Sequence, residues 1–500
     1  MRPPLAPLCR LALSAGLPWF AACGNAKPTR AIPPMSESAV ESPLVTRPQD
    51  STPVAAVSAP PNPLPPEPAR FLDHPEALKR FFQSLADLET RRRDDDVHIV
   101  QFGDSHTAAD YQTGPIRRGL QHRFGDGGRG FVSLGRPWKA YTQEGVQLNG
   151  MTGWTSERGH FAKGKFIGDG RYGLVGVCIA TSQRGARAYT DLTAQATRLE
   201  LAYLEAPHGG SMDVLVDGAR VQRVKTAAPE ARSAYVSLEV AEGPHRVELS
   251  AVGDGNVRVF GLSLDRSKAG ITLDAVGVNG ARAGDLLRLP EEHFASELKH
   301  RDPSLVVLAY GTNESSDDVP MEVYQRQLVD VLGRVARAVP SASCLLMGPP
   351  DRATKHKVLA SSDASGGAGV AQTVWTTLPR LLEVAAMERR VAAAAGCAYF
   401  SQLDAMGGPG SIAGWAMEAP PRAMLDRTHL SRQGYSELGQ AIAGEILRAY
   451  DTFRAASGMP ARPLAPTDPH ISAAWPVMPP TERELPRDPR LAEGDLFTEE

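Results

Sequence analysis

The chain has 500 residues, 42% of them hydrophobic and 22% charged, with a formal net charge of −3. That size leaves room for about two to four domains with real cores, and a charge so near zero excludes gathering nucleic acid or anionic lipid by a global field. Aromatics make up only 6%, while 47 Gly and 41 Pro exceed what a packed core uses, and the surplus prolines sit at the two ends.

Residues 1–22 read as an export signal: Arg2 and Arg10 bracket a basic region, and LALSAGLPWFAA is apolar but too short to span a bilayer. The run stops at Ala21-Ala22-Cys23, which resembles a bacterial lipoprotein processing site, with Phe20 where that pattern usually has an aliphatic residue. The resemblance implies an exported bacterial lipoprotein, lipidated at Cys23 and facing the periplasm or cell surface, that touches a membrane only through its lipid. The bland alternative is an ordinary secretory signal with an incidental Cys. Residues 23–70 hold 12 prolines and almost no periodicity, so they form a linker that cannot bury enough apolar surface to order itself. Residues 457–500, with nine prolines, read the same way.

Between these ends the pattern alternates. A helix period over 74–93 leads into the strand VHIVQFGD at 97–104, and a second helix pattern covers 109–124. Later come a strand at 304–311, a helix over 320–338, a strand at 342–348, a helix over 373–395, a strand at 397–403 and a last helix over 431–452. Short apolar strands separated by helices predict an α/β domain, built from 71–139 and 271–456, with a parallel sheet between two helical layers. From 140 to 270 the runs are short, alternate in period two and are split by Gly, Pro or Asp turns, which predicts an inserted β-sandwich. Cys178, Cys344 and Cys397 each sit in an apolar, strand-like run; the reading is buried free thiols, with one disulfide as the alternative.

The first strand ends in Gly103-Asp104-Ser105-His106 before a helix, and in open α/β sheets ligands bind at the carboxyl ends of strands. Gly277-Val278-Asn279-Gly280-Ala281 follows another strand, Gly311-Thr312-Asn313-Glu314 a third, and Asp426-x-x-His429 precedes the last helix. Ser105, His429 and Asp426 supply nucleophile, base and orienting acid. Each block alone is weak, since Asp and Ser are also ordinary helix caps and Asn an ordinary turn residue.

These four blocks in this order resemble the SGNH, or GDSL, hydrolase superfamily, whose Ser, Gly, Asn and His match Ser105, Gly280, Asn313 and His429. The resemblance implies a flavodoxin-like three-layer α/β/α fold, catalysis by Ser105, His429 and Asp426, and an oxyanion hole of Ser105 N–H, Gly280 N–H and the Asn313 amide, with Gly277 as a neighbouring candidate for the glycine. The runs IVQFGDSHTAADYQTG, RFGDGGRGFV and MGGPGSIAGW further resemble a branch of peptidoglycan O-acetylesterases carrying a carbohydrate-binding-module-like β-sandwich. That implies release of acetyl groups from an acetylated glycan, peptidoglycan favoured, with no metal or organic cofactor. The alternatives are an acetyl esterase on another polysaccharide such as xylan, and a non-catalytic wall-binding lipoprotein.

Other patterns carry less. Asp95-x-x-His98 repeats the Asp-x-x-His spacing but lies at the wrong end of its strand. Asp104-x-His106, with Asp126 and Asn313, can be forced into a metallophosphoesterase pattern, yet that family's Gly-Asn-His and Gly-His-x-His blocks do not occur in the chain. Gly125-x-Gly127-x-x-Gly130 follows a helix where a dinucleotide motif needs a strand, and Phe166 breaks the phosphate-loop likeness of Gly159 to Lys165. Trp138 and Trp415 read as cleft wall or core. Trp154, Tyr172 and Tyr203 read as sandwich core, with sugar stacking as the alternative.

Overall fold

A computed structural model describes residues 70–139, 141–158, 168–359 and 371–460. The export signal, Cys23, all of the linker but Arg70, the chain beyond 460 and the run 159–165 lie outside these residues. Among the described residues no helix is long and apolar enough to cross a membrane.

Five parallel strands form the central sheet: Val97–Gly103, Ile271–Gly277, Leu305–Ala309, Ser343–Gly348 and Ala398–Ser401, with Leu72–Asp73 antiparallel at one edge. Counted by appearance in the chain, the parallel strands lie in the order 2-1-3-4-5, the flavodoxin-like one. Side chains alternate between two cores. Val97, Ile99, Leu305 and Val307 face Phe81, Phe82, Leu120, Leu438 and Ile442 on one side. Val100, Phe102, Val306 and Leu308 face Phe294, Leu298, Tyr324, Leu328 and Met387 on the other. Each fully buried Leu or Phe contributes about 1.5–3 kcal/mol by leaving water, so both faces must be covered, and three helices cover each. The result is a three-layer α/β/α domain.

The insertion is a nine-stranded antiparallel sheet that closes around its own core of Leu199, Leu201, Met212, Val214, Val247, Leu249, Leu262 and Leu264. Two long strands, Arg187–Glu205 and Arg232–Ala251, pair with each other along most of their length, with register shifts around Gly243. The first part of Arg187–Glu205 takes Val146–Thr152 as its other neighbour, and the second part takes Val257–Asp265. This exchange of neighbours, with the bulge, lets one sheet make both layers of a sandwich. The sheet also takes in Gly128–Val132, ahead of residue 140.

Three local expectations are corrected. The helix expected over 109–124 begins only at Thr113, after the separate short helix Ser105–Ala108, with Asp110 between them in the left-handed region at φ 59°. The Asp110 carboxylate is fully buried against Arg129 at 2.8 Å and Arg117 at 3.4 Å, and the backbone turns to deliver it there. The helix expected over 373–395 begins only at Pro379; Ala371–Thr377 is instead a strand paired with Ala353–Leu359 in a hairpin. Thr373, Val374, Trp375, Thr376 and Thr377 are β-formers, and Pro379 suits the first helical turn. Of the three cysteines read as free thiols, Cys344 and Cys397 form a disulfide, while Cys178 is free and buried. Cys344 and Cys397 stand at the amino ends of neighbouring parallel strands, a juxtaposition that spacing along the chain does not reveal. Trp138, Trp415, Trp154, Tyr172 and Tyr203 are all core residues, so none of the last three offers a sugar platform.

Candidate active site

Register brings the blocks together. Gly103 is the partner of Gly277 on one side and of Ala309 on the other, so the segments after all three strands leave the sheet side by side. This is where the strand order reverses, the usual binding crevice of such folds.

Ser105 opens the short helix Ser105–Ala108, capped by Asp104, whose Oδ1 accepts the His106 N–H at 2.9 Å. The helix sits directly on the strand ends, which only glycine permits. A Cβ on Gly277 would lie 2.6 Å from Ala108 N and Thr107 Cβ. Gly280 differs: its φ is +77° and a Cβ would meet nothing within 4 Å, so it turns the chain beside open space. Gly277 is thus a packing glycine, and of the two it is Gly280 that stands beside open space.

The acid–base pair is built locally. Asp426 Oδ1 accepts the backbone N–H groups of Thr428 at 2.9 Å and His429 at 3.0 Å, a turn made by the side chain itself. That leaves Oδ2 to accept from His429 Nδ1 at 2.7 Å, and Nε2 accordingly accepts the Ser105 hydroxyl at 2.9 Å. Burial works to raise the Asp426 carboxyl, but the hydrogen bond and charge of His429 and the two backbone N–H groups outweigh it and hold the group down at about 2. Arg427, between them, is left-handed at φ 51°. Ser105 and His429 are 7% and 9% exposed, so both are largely withdrawn from water.

Asn313 links the remaining blocks. Its Nδ2 donates to Ala281 O at 3.0 Å and to Asp104 Oδ2 at 3.5 Å, so the Ser, Gly and Asn loops share one hydrogen-bond network. All five residues read as catalytic or oxyanion groups are therefore gathered at one edge of the sheet.

Four more residues shape the site. Glu314 is buried, with Oε1 accepting the Ala283 N–H at 2.9 Å and Oε2 the Gly311 N–H at 3.0 Å; burial raises it to about 7. Burial likewise raises Asp104 to about 6. The His106 ring packs on His429 with centroids 5.4 Å apart and shares a 2.8 Å hydrogen bond with Tyr435. Burial, with the charge of His429, pushes His106 well below the usual histidine range, which keeps it neutral. Glu314 and Asp104 stood inside blocks the sequence had already marked, but their bracing partners are distant in the chain and left no signal. Asp95, Asp96 and His98 group within 4.8 Å of one another at the opposite end of the first strand from Ser105.

No family model matches the chain, and no curated protein matches it. Among solved structures, a peptidoglycan O-acetylesterase overlays with a TM-score of 0.59 at 23% identity, covering 76% of this chain and 99% of that one. A family two carbohydrate esterase from Cellvibrio japonicus overlays at a TM-score of only 0.24 and 12% identity, covering 62% of this chain and 97% of that one. The chain thus has the fold of the first of these structures along almost all of that structure's length.

Proposed function

We propose that this protein is a serine esterase that removes O-acetyl groups from a cell-wall glycan, with peptidoglycan the first choice. The observation that supports it most is the chain of contacts from Asp426 through His429 to Ser105, 2.7 Å and 2.9 Å, at the carboxyl edge of the sheet. In this reading His429 takes the Ser105 proton as Oγ attacks the acetyl carbonyl, while Asp426 fixes the tautomer and stabilises the imidazolium. The oxyanion is received by the backbone N–H groups of Ser105 and Gly280 and by Asn313 Nδ2, whose long contact to Asp104 is the one exchanged. His429 then protonates the departing sugar hydroxyl, and water activated by the same imidazole clears the acetyl-enzyme. Export and a lipid on Cys23 belong to the same proposal; they would hold the enzyme beside the wall.

The test is acetate release from O-acetylated peptidoglycan and acetylated xylan in parallel, by the wild type and Ser105→Ala. Ser105-dependent release mainly from peptidoglycan is expected. Comparable release from xylan would broaden the substrate to glycans generally, and silence of the folded protein on both would overturn the esterase reading.

A further inference from the structure

The loop after the strand Ser343–Gly348 carries Arg352 to the same edge of the sheet as Ser105 and Asn313. Its Nη1 donates to Thr312 O at 3.0 Å, next to Asn313, and to Ser316 Oγ. On its other flank the Ala353 N–H donates to Arg427 O at 2.9 Å, two residues before His429. Arg352 therefore spans the gap between the loop that carries the oxyanion amide and the loop that carries the base.

Like Arg334 and Arg380, which donate to backbone carbonyls, this guanidinium is held by neutral acceptors, but it alone of the three lies between the Asn313 and His429 loops. Arg282, close by, is satisfied by Asp317 through two hydrogen bonds, and Arg422 by Glu418 through two more. The contacts of Arg352 are to a carbonyl and a hydroxyl, and it makes no ion pair among the described residues. It is half-buried, and burial draws it below the usual arginine range although Asp426, Asp104 and Asp317 are near enough to act on it. A cation partly stripped of water, fixed by neutral acceptors through Nη1 and with its other donors taking no partner among the described residues, is a receptor for a planar anion.

We infer that Arg352 is a specificity residue that receives a carboxylate of the substrate beside the acetylated hydroxyl, so that the favoured glycan is an anionic one. This rests on the esterase reading and narrows its substrate class to acetylated glycans that carry carboxylates, such as wall glycopeptides, over uncharged acetylated chains.

The experiment compares wild type, Arg352→Gln and Arg352→Lys on three substrates: p-nitrophenyl acetate, an O-acetylated muramyl peptide, and the same peptide with its carboxylates methyl-esterified. Only acetate is counted as product. In the wild type, methylation should raise KM about tenfold, the size expected for losing one charge-assisted hydrogen-bonded pair. In Arg352→Gln the preference for the free carboxylates over their methyl esters should vanish, with the loss in KM rather than kcat, and Arg352→Lys should restore part of it. Equal losses on all three substrates, or a wild type indifferent to methylation, would overturn the inference. A wild type inactive even on p-nitrophenyl acetate would instead remove the esterase reading on which it stands.

Discussion

At the scale of single residues, Asn313 does two things with one nitrogen. One Nδ2–H holds Ala281 O at 3.0 Å and so keeps the turn around Gly280 in place; the other points along a weak 3.5 Å line to Asp104. A bond that long is easily given up to a developing oxyanion. Asn313→Ala should therefore lower kcat by about 10²–10³-fold, the usual cost of one oxyanion donor, with circular dichroism and Tm close to wild type. Asn313→Asp is the sharper control. It keeps the shape but sets a second carboxylate beside Asp104 and repels the oxyanion, so it should fall at least as far. Near-wild-type turnover in either folded variant would remove Asn313 from the oxyanion hole. Asp426 titrates elsewhere: held at about 2, it stays charged throughout the working range, so loss of activity on acidification to pH 4 is expected to come from other groups.

At the scale of elements, the alternation of apolar strands with amphipathic helices was legible because each strand buries both faces and each helix only one, and those two patterns differ in period. The same legibility covered Ser105, Gly280, Asn313, Asp426 and His429, since all lie within a few residues of a strand end or helix start. What stayed hidden depends on pairs far apart in the chain. Asp110 delays the start of a helix by turning left-handed to reach Arg129. The strand Ala371–Thr377 has β-forming residues of its own, but its partner Ala353–Leu359 stands more than ten residues upstream. The Cys344–Cys397 bridge belongs to this class and yields a prediction. It ties two neighbouring strands at their amino ends, away from Ser105, and closes a loop with a sequence separation of 53 residues. Chain-entropy reasoning assigns such a loop about 4 kcal/mol, and measured effects are commonly 2–4. The double variant Cys344→Ala/Cys397→Ala should lose about 2–4 kcal/mol in chemical denaturation yet keep its rate on p-nitrophenyl acetate at 25 °C. A large loss of rate at unchanged stability would show that the bridge is coupled to the site.

At the scale of the whole molecule, the β-sandwich leaves and rejoins the α/β domain through a narrow neck, and one carboxyl sits in it. The outgoing chain at Gly125–Gly127 runs against the returning chain at Gly270 and Ile271, tied by Ile271 N–H to Gly125 O at 2.9 Å and by Gly127 N–H to Ile271 O at 3.3 Å. Asp96 Oδ1 accepts the Gly270 N–H at 2.8 Å, and the Gly270 carbonyl accepts from Val97 at 2.8 Å. Asp96 is 4% exposed. Burial, with Asp265 and Asp95 adding negative charge, raises it from 3.8 to about 7 against the opposing pull of the Gly270 N–H and Arg198. Between about pH 4 and 7 the folded state therefore holds a proton that the unfolded chain has released. Stability is then full below about pH 4 and declines as pH rises through that window, by at most about 4 kcal/mol for three units at 1.36 kcal/mol each. Asp96→Asn keeps the acceptor for Gly270 and removes the charge. It should melt close to wild type at pH 4 and higher than wild type at pH 8. Asp104 and Glu314, also raised by burial, slope the same way in both proteins, so the difference between the two curves isolates Asp96. If the neck carboxyl were instead ionised and stabilising in the fold, Asp96→Asn would be the less stable protein at pH 8, and the two curves would cross in the opposite sense.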